Sequence, residues 1–516
     1  MSIHDKIGKL FMIGLNGPEL DESDLKLLDD INPGFVILFK RNVENRNQVK
    51  KYISKIHQLC GNETIITADQ EGGIVTRLEN GFSVSPGAMA TTATSDKKNS
   101  FICGKILGEE MYDCGITLNL APVIDINSNS DNPAIGVRSF GNTINDVYDY
   151  SEEFIKGLHE AGVGACIKHF PGNGDVNVDP HLDMPFLDKT MEELESFELV
   201  PFRKFFSNNI ETMMPTHLNL PKIMTENVPV TVSKEILTDL VRNEMGYEGL
   251  IISDDLTMGG VKNSMEIEEI CYKSLMAGID VLCICHDHEL KQRAFDYLIE
   301  KYESDENLKN RIDESVERIE TFIKKYSYNP EKNKNLKYEE NQIILQNISD
   351  KAITYMGKGK IEFPLKSLNE DDFIFSIKPS RQTLAEDSEV GSIVGKYLKD
   401  SHPDASLKTF KGNISLESSK ELIEGVSGNT CVFISENAYL NEGQRHMIEE
   451  LGKKFEKFLL IAIRNPYDVD IPGVSEAILS YGYSYPNQLS IIRLLKGEIE
   501  PKGVYPIKYT SYREKE

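Results

Sequence analysis

Short apolar runs alternate with amphipathic stretches from the N-terminus to about residue 325. Eight of these runs have strand length: residues 10–15, 34–39, 64–69, 117–125, 164–170, 212–217, 249–254 and 280–285. Helical stretches with one polar face lie between them, among them 47–59, 146–161, 191–207 and 234–245. Strands that are apolar almost throughout and spaced by helices predict a parallel sheet covered on both faces. Eight such units predict a (β/α)8 TIM barrel.

The pattern then breaks. Residues 326–342, YSYNPEKNKNLKYEENQ, are polar and hold a Pro and several Asn and Lys, the composition of a linker. A second strand–helix pattern follows, with strands expected at 373–377, 431–435, 459–463 and 477–481 and helices at 419–425 and 442–455. The fold class expected is α/β: a barrel over residues 1–325, a linker over 326–342 and a C-terminal three-layer α/β sandwich over 343–516.

Composition narrows the partners. The 516 residues carry a formal charge of −25, which repels nucleic-acid backbones and anionic membranes. No apolar run approaches the ~20 residues of a membrane span. The N-terminal apolar stretch lacks the small-residue cleavage site of a secretory signal. The 8 cysteines are scattered through apolar segments. That usage fits reduced thiols and a cytoplasmic location. There is no Trp, so a long groove lined with stacking aromatics is not expected. The pocket expected grips one terminal ring by hydrogen bonds. A small ligand, a monomer or homodimer, no cofactor and no bound metal complete the expectation.

Five predicted strands end in a polar or ionisable residue: Asp69, Asp125, Lys168-His169, His217 and Asp254. Barrel active sites form at those ends, so the recurrence favours an enzyme. After Lys168, His169 and Phe170 the chain reads PGNGDVNVDPHLDMP, a Gly- and Pro-rich loop carrying Asp175, Asp179, His181 and Asp183. Asp179 and His181 are close enough in sequence for the carboxylate to orient the imidazole, as in general acid–base pairs. By itself such a pair also fits local hydrogen bonding. Asp254, after the apolar run LIIS, suits a nucleophile, a metal ligand or a structural acceptor. The run C-I-C-H-D-H at 283–288 raises a thiolate metal site, but a last barrel strand with buried thiols explains it more simply.

In order, the segments DQEGG (69–73), LAPVIDI to IGVRSFG (ending at Gly141), KHFPGNGD…DPH (168–181), MMPTHL (213–218) and GLIISDDLTM (249–258) resemble glycoside hydrolase family 3, in its NagZ-like β-N-acetylhexosaminidase branch. SYGYS with the later GEIEPKGVYPIKY is similar to the close of that family's second domain. The resemblance implies that Asp254 is the catalytic nucleophile, that His181 is the general acid/base with Asp179 as its partner, and that Asp69, Arg77, Arg138, Lys168 and His169 bind the terminal sugar. It also implies a retaining exo-β-N-acetylglucosaminidase acting on cell-wall or chitin-type oligosaccharides. A neutral His base also admits phosphate as the acceptor, so phosphorolysis stands as the alternative, alongside a silent sugar-binding protein. The chain departs from the family at Ile74, Asn173 and Pro180, where Arg, His and Ser are usual.

Overall fold

The computed structural model describes residues 1–176, 184–262, 265–332, 336–378 and 392–508. Eight parallel strands form the first sheet: Phe11–Gly14, Phe35–Leu38, Ile65–Ala68, Leu118–Asn119, Gly164–Phe170, Thr212–Pro215, Leu250–Ile251 and Leu282–Ile284. Leu282–Ile284 pairs with Phe11–Gly14. A parallel bridge from Ile252 to Val281 joins the remaining two edges, so the sheet closes into a barrel. Every residue of these strands is buried, as expected of strands with helices outside and packed side chains within.

The helices follow their sequence periodicity. Ile144–Ala161 starts at Thr143, whose hydroxyl accepts from the Asp146 amide. It buries Val147, Tyr150, Phe154 and Leu158, one face at helical spacing, and stops at Gly162 with φ +86°. Burying each such side chain stabilises the fold by about 1.5–3 kcal/mol.

Three expected elements differ. The strand expected at 117–125 pairs only over Leu118–Asn119. Pro122 has no amide hydrogen for the ladder, and contact with the next strand resumes at Val123 and Ile124 through Lys168. The helix expected at 191–207 is two, Met191–Ser196 and Leu199–Ser207. Pro201 cannot donate to the Phe197 carbonyl four residues back, and the chain kinks there. Within 326–342, the helix Tyr338–Ala352 has already begun.

The C-terminal domain is a mixed α/β unit. Its sheet runs Thr354–Met356, Glu476–Leu479, Phe455–Ala462, Gly428–Ser435, Phe373–Lys378, Ser406–Lys411. All neighbours are parallel except Thr354–Met356, which is antiparallel to Glu476–Leu479. Its apolar core reaches into the barrel and takes in Ile74, Val75, Met89, Ala90, Ala93 and Val137. Among the described residues no helix is long and apolar enough to cross a membrane.

Candidate active site

The fifth barrel strand, Gly164–Phe170, ends in Lys168 and His169, joined by a cis peptide bond. The Lys168 side chain lies inside the barrel, 2% exposed. Its Nζ sits 2.8 Å from Asp69 Oδ1 and 2.7 Å from Glu71 Oε1. Asp69 follows the strand Ile65–Ala68. Glu71 lies on a short hairpin formed by Gln70–Gly72 and Val75–Thr76, which also places Arg77. Arg77 Nη2 is 3.2 Å from Asp69 Oδ2. Arg138, at the end of a buried 3-10 turn Gly136–Arg138, meets Glu71 with two parallel hydrogen bonds, Nε to Oε2 at 2.9 Å and Nη2 to Oε1 at 2.8 Å. Paired forks of this kind fix direction as well as distance.

Three cations and two carboxylates therefore interlock at the barrel mouth, and each holds the others charged. Burial works against an ionised Asp69, but Lys168 and Arg77 outweigh it and keep its carboxyl well below the usual carboxylate range. Burial likewise opposes Glu71, which Arg138 and Lys168 bring down to about 2. Burial also opposes the Lys168 charge, and Asp69 and Glu71 hold it above the ordinary lysine value.

His169 has a different anchor. Its Nδ1 is 2.7 Å from Asp125 Oδ2. The other carboxylate oxygen of Asp125 accepts from the His169 amide at 3.1 Å and the Asn173 amide at 2.7 Å. A carboxylate partner assigns the proton to Nδ1 and leaves Nε2 for a second partner.

Asp254 and Asp255 end the seventh strand region, and they differ. Asp255 Oδ1 accepts from the Thr257 amide at 3.0 Å, the Thr257 hydroxyl at 2.8 Å and the Cys285 amide at 3.3 Å. The His217 ring bonds the Asp255 carbonyl at 3.1 Å. Asp255 is thus a buried fastening. Asp254 is half-buried, and its Oδ1 accepts from the Asp255 amide at 2.8 Å. Asp254 follows the strand Leu250–Ile251 as Asp69 follows Ile65–Ala68, so the nucleophile candidate and the sugar-binding candidates stand at the same end of the parallel barrel, its mouth. Phe39 and His286 flank it with ring centroids 5.4 Å apart, and Arg77 lies 5.4 Å from the Phe39 ring.

The structure thus gathers Asp69, Arg77, Arg138, Lys168, His169 and Asp254 at the strand ends. Asp179, His181 and Pro180 lie outside the described residues. Sequence reasoning missed Glu71 and gave Asp125 no role. Alternation along an extended segment puts Asp69 and Glu71 on one face, a signal that was available. Asp125 lies on the segment that follows the strand Leu118–Asn119, beside the strand that delivers His169. Of the departures, Ile74 is buried in the C-terminal domain's core. Asn173 bonds through its backbone to Asp125 and Asn132.

The C-I-C-H-D-H run does not converge. His286 turns to Asp255 and His288 to Asp24, and burial pushes the Cys285 thiol well up, away from a ligating thiolate. Among the described residues no cluster of three or more His, Cys, Asp or Glu is arranged to hold a metal.

Residues 2–322 match the glycosyl hydrolase family 3 N-terminal domain. A β-hexosaminidase of Haemophilus influenzae is 36% identical over 283 residues, 54% of this chain and 80% of that protein. The structure of a glycoside hydrolase family 3 β-N-acetylglucosaminidase from Paenibacillus sp. str. FPU-7 superposes with a TM-score of 0.87 at 30% identity, covering 99% of both chains. NagZ from Neisseria gonorrhoeae superposes with a TM-score of 0.57 at 29% identity, covering 66% of this chain and 97% of its own.

Proposed function

The chain belongs to glycosyl hydrolase family 3, and from that premise we propose how its mouth works as a retaining exo-β-N-acetylglucosaminidase. Asp254 attacks the anomeric carbon. His181 protonates the leaving oxygen, then as neutral imidazole takes a proton from water, and Asp179 orients it and stabilises its charged form. Asp69, Lys168, Arg77, Arg138 and His169 hold the terminal sugar's hydroxyls. The observation that carries this reading is the buried five-residue ion network beside a half-buried Asp254. The network offers fixed, charged hydrogen-bonding groups, and Asp254 offers a carboxylate that is only half-buried.

Each cation of the network is held in an ion pair: Lys168 faces two carboxylates, Arg138 pairs with Glu71 and Arg77 with Asp69. A cation engaged in this way attracts a phosphate dianion less than a free one does, and water is the acceptor we propose. We place the enzyme in the cytoplasm, on terminal N-acetylglucosamine of cell-wall or chitin-type oligosaccharides. All eight cysteines are free thiols, in keeping with a reducing compartment.

The test is turnover of 4-nitrophenyl N-acetyl-β-glucosaminide and the matching glucoside, with and without phosphate, with products resolved by chromatography. The expected result is free N-acetylglucosamine, a rate unmoved by phosphate and little glucoside turnover. A sugar 1-phosphate would replace hydrolysis by phosphorolysis. No turnover at all would favour a silent binding protein.

A further inference from the structure

The family matches that end with the barrel lack a second domain: the Neisseria gonorrhoeae protein is covered almost entirely by two thirds of this chain. In this chain the second domain touches the segments that carry the arginines. Val137, the residue before Arg138, donates its amide to Asn465 Oδ1 at 3.0 Å. Asn465 follows the strand Phe455–Ala462 of the C-terminal sheet and is 3% exposed. Its amide nitrogen donates to Tyr439 Oη at 3.0 Å, and Tyr439 Oη donates to the Ser130 carbonyl at 2.6 Å. Its backbone amide rests on Asn437 Oδ1 at 3.2 Å. Asn465 holds the Arg138 end of this loop directly and braces Tyr439, which holds the Ser130 end.

The fit is close enough to dictate sequence on the barrel side. Gly136 has φ +46°, and a Cβ there would stand 2.3 Å from Asn465 Oδ1. Val137 itself sits in the C-terminal domain's core, as do Ile74 and Val75 of the hairpin that carries Glu71 and Arg77. The apolar contacts seat the two segments. The Asn465 bond sets the height and turn of Gly136–Arg138, and from there the fork to Glu71 fixes the guanidinium.

We propose that Asn465 is a positioning residue for substrate binding, so that the C-terminal domain is a working part of the active site through Arg138. The inference rests on the reading of Arg138 as a sugar-binding residue. Losing the Val137–Asn465 bond leaves Arg138 covalently intact but free to tilt away from the sugar. Ground-state binding weakens while the groups at the anomeric carbon are untouched.

The experiment is steady-state kinetics on the full chain with 4-nitrophenyl N-acetyl-β-glucosaminide, for wild type, Asn465→Ala, Asn465→Asp, Arg138→Ala and Asn465→Ala with Arg138→Ala. Melting temperatures are measured alongside. Asn465→Ala is expected to raise KM about tenfold with kcat within about twofold. Asn465→Asp keeps the acceptor for the Val137 amide and is expected to recover most of the loss. The double variant is expected to be no worse than Arg138→Ala alone, because the first change acts through the second residue. An unchanged KM in Asn465→Ala, or additive losses in the double variant, overturns the proposal. A parallel fall in kcat and melting temperature that Asn465→Asp does not rescue also overturns it, since that is a purely structural role. An unchanged KM in Arg138→Ala instead overturns the sugar-binding reading of Arg138 beneath it.

Discussion

Glu71 is the residue on which the mouth's charges balance. Among the described residues it alone forms ion pairs with both Arg138 and Lys168, and it is 8% exposed. Removing one partner of a buried ion pair leaves an uncompensated charge, at a cost of about 3–5 kcal/mol. Glu71→Gln is expected to lower the urea midpoint accordingly and to raise KM for the aryl glycoside; wild-type values for both would deny Glu71 this role. A second buried carboxyl, Asp468, behaves in the opposite way. Burial raises it from 3.8 to about 6, although the Ser435 hydroxyl and the amides of Tyr439 and Ala438 soften the effect. Between pH 4 and 6 the folded chain then holds a proton that the unfolded chain has released. Stability contributed by this group is full below its unfolded pKa and is lost as pH rises through its folded one, by about 3 kcal/mol in all. Asp468→Asn is expected to flatten that part of the stability–pH curve, read by urea melts at pH 4.5 and 6.5. An unaltered slope would mean that Asp468 stays ionised when folded.

At the scale of elements, the 3-10 turn Gly136–Arg138 lies between barrel and second domain. Gly136→Ala adds a methyl where Asn465 already sits and forces a left-handed residue to carry a side chain. KM is expected to rise as in Asn465→Ala, with kcat held; unchanged kinetics would show that the turn relaxes without disturbing Arg138. Legibility in the sequence follows from the same physics. The buried parallel strands were readable because both faces are apolar, as in Gly164–Phe170, whose bounds match the expectation. Strand ends at Pro122 and the helix break before Pro201 were under-read, because a missing amide hydrogen acts through the partner it cannot reach. The edge strands Thr354–Met356 and Ser406–Lys411 were not read at all. The second, SLKTFK, is mostly polar and largely exposed, the usual look of a protected sheet edge. The position of Asp69, Lys168, His169 and Asp254 near strand ends was legible from the apolar runs they close. Asn465 was not, since its part depends on a contact 328 residues away in sequence.

For the whole molecule, the formal charge of −25 says little about the pocket. The ion network at the mouth holds three cations against two carboxylates, and the excess negative charge of the chain lies elsewhere. The C-terminal domain is joined to the barrel by a shared apolar core and by side-chain hydrogen bonds from Tyr439, Asn465, Tyr467 and Asn487. The chemistry turns on a covalent glycosyl intermediate on Asp254, which is half-buried. It is read most directly by incubating the enzyme with a 5-fluoro N-acetylglucosaminyl fluoride and measuring intact mass and peptide masses. One added fluorosugar is expected on the peptide carrying Asp254, and none in Asp254→Ala, whose kcat/KM falls by about 10⁴-fold. A label on another residue, or an Asp254→Ala enzyme with full activity, would contradict it.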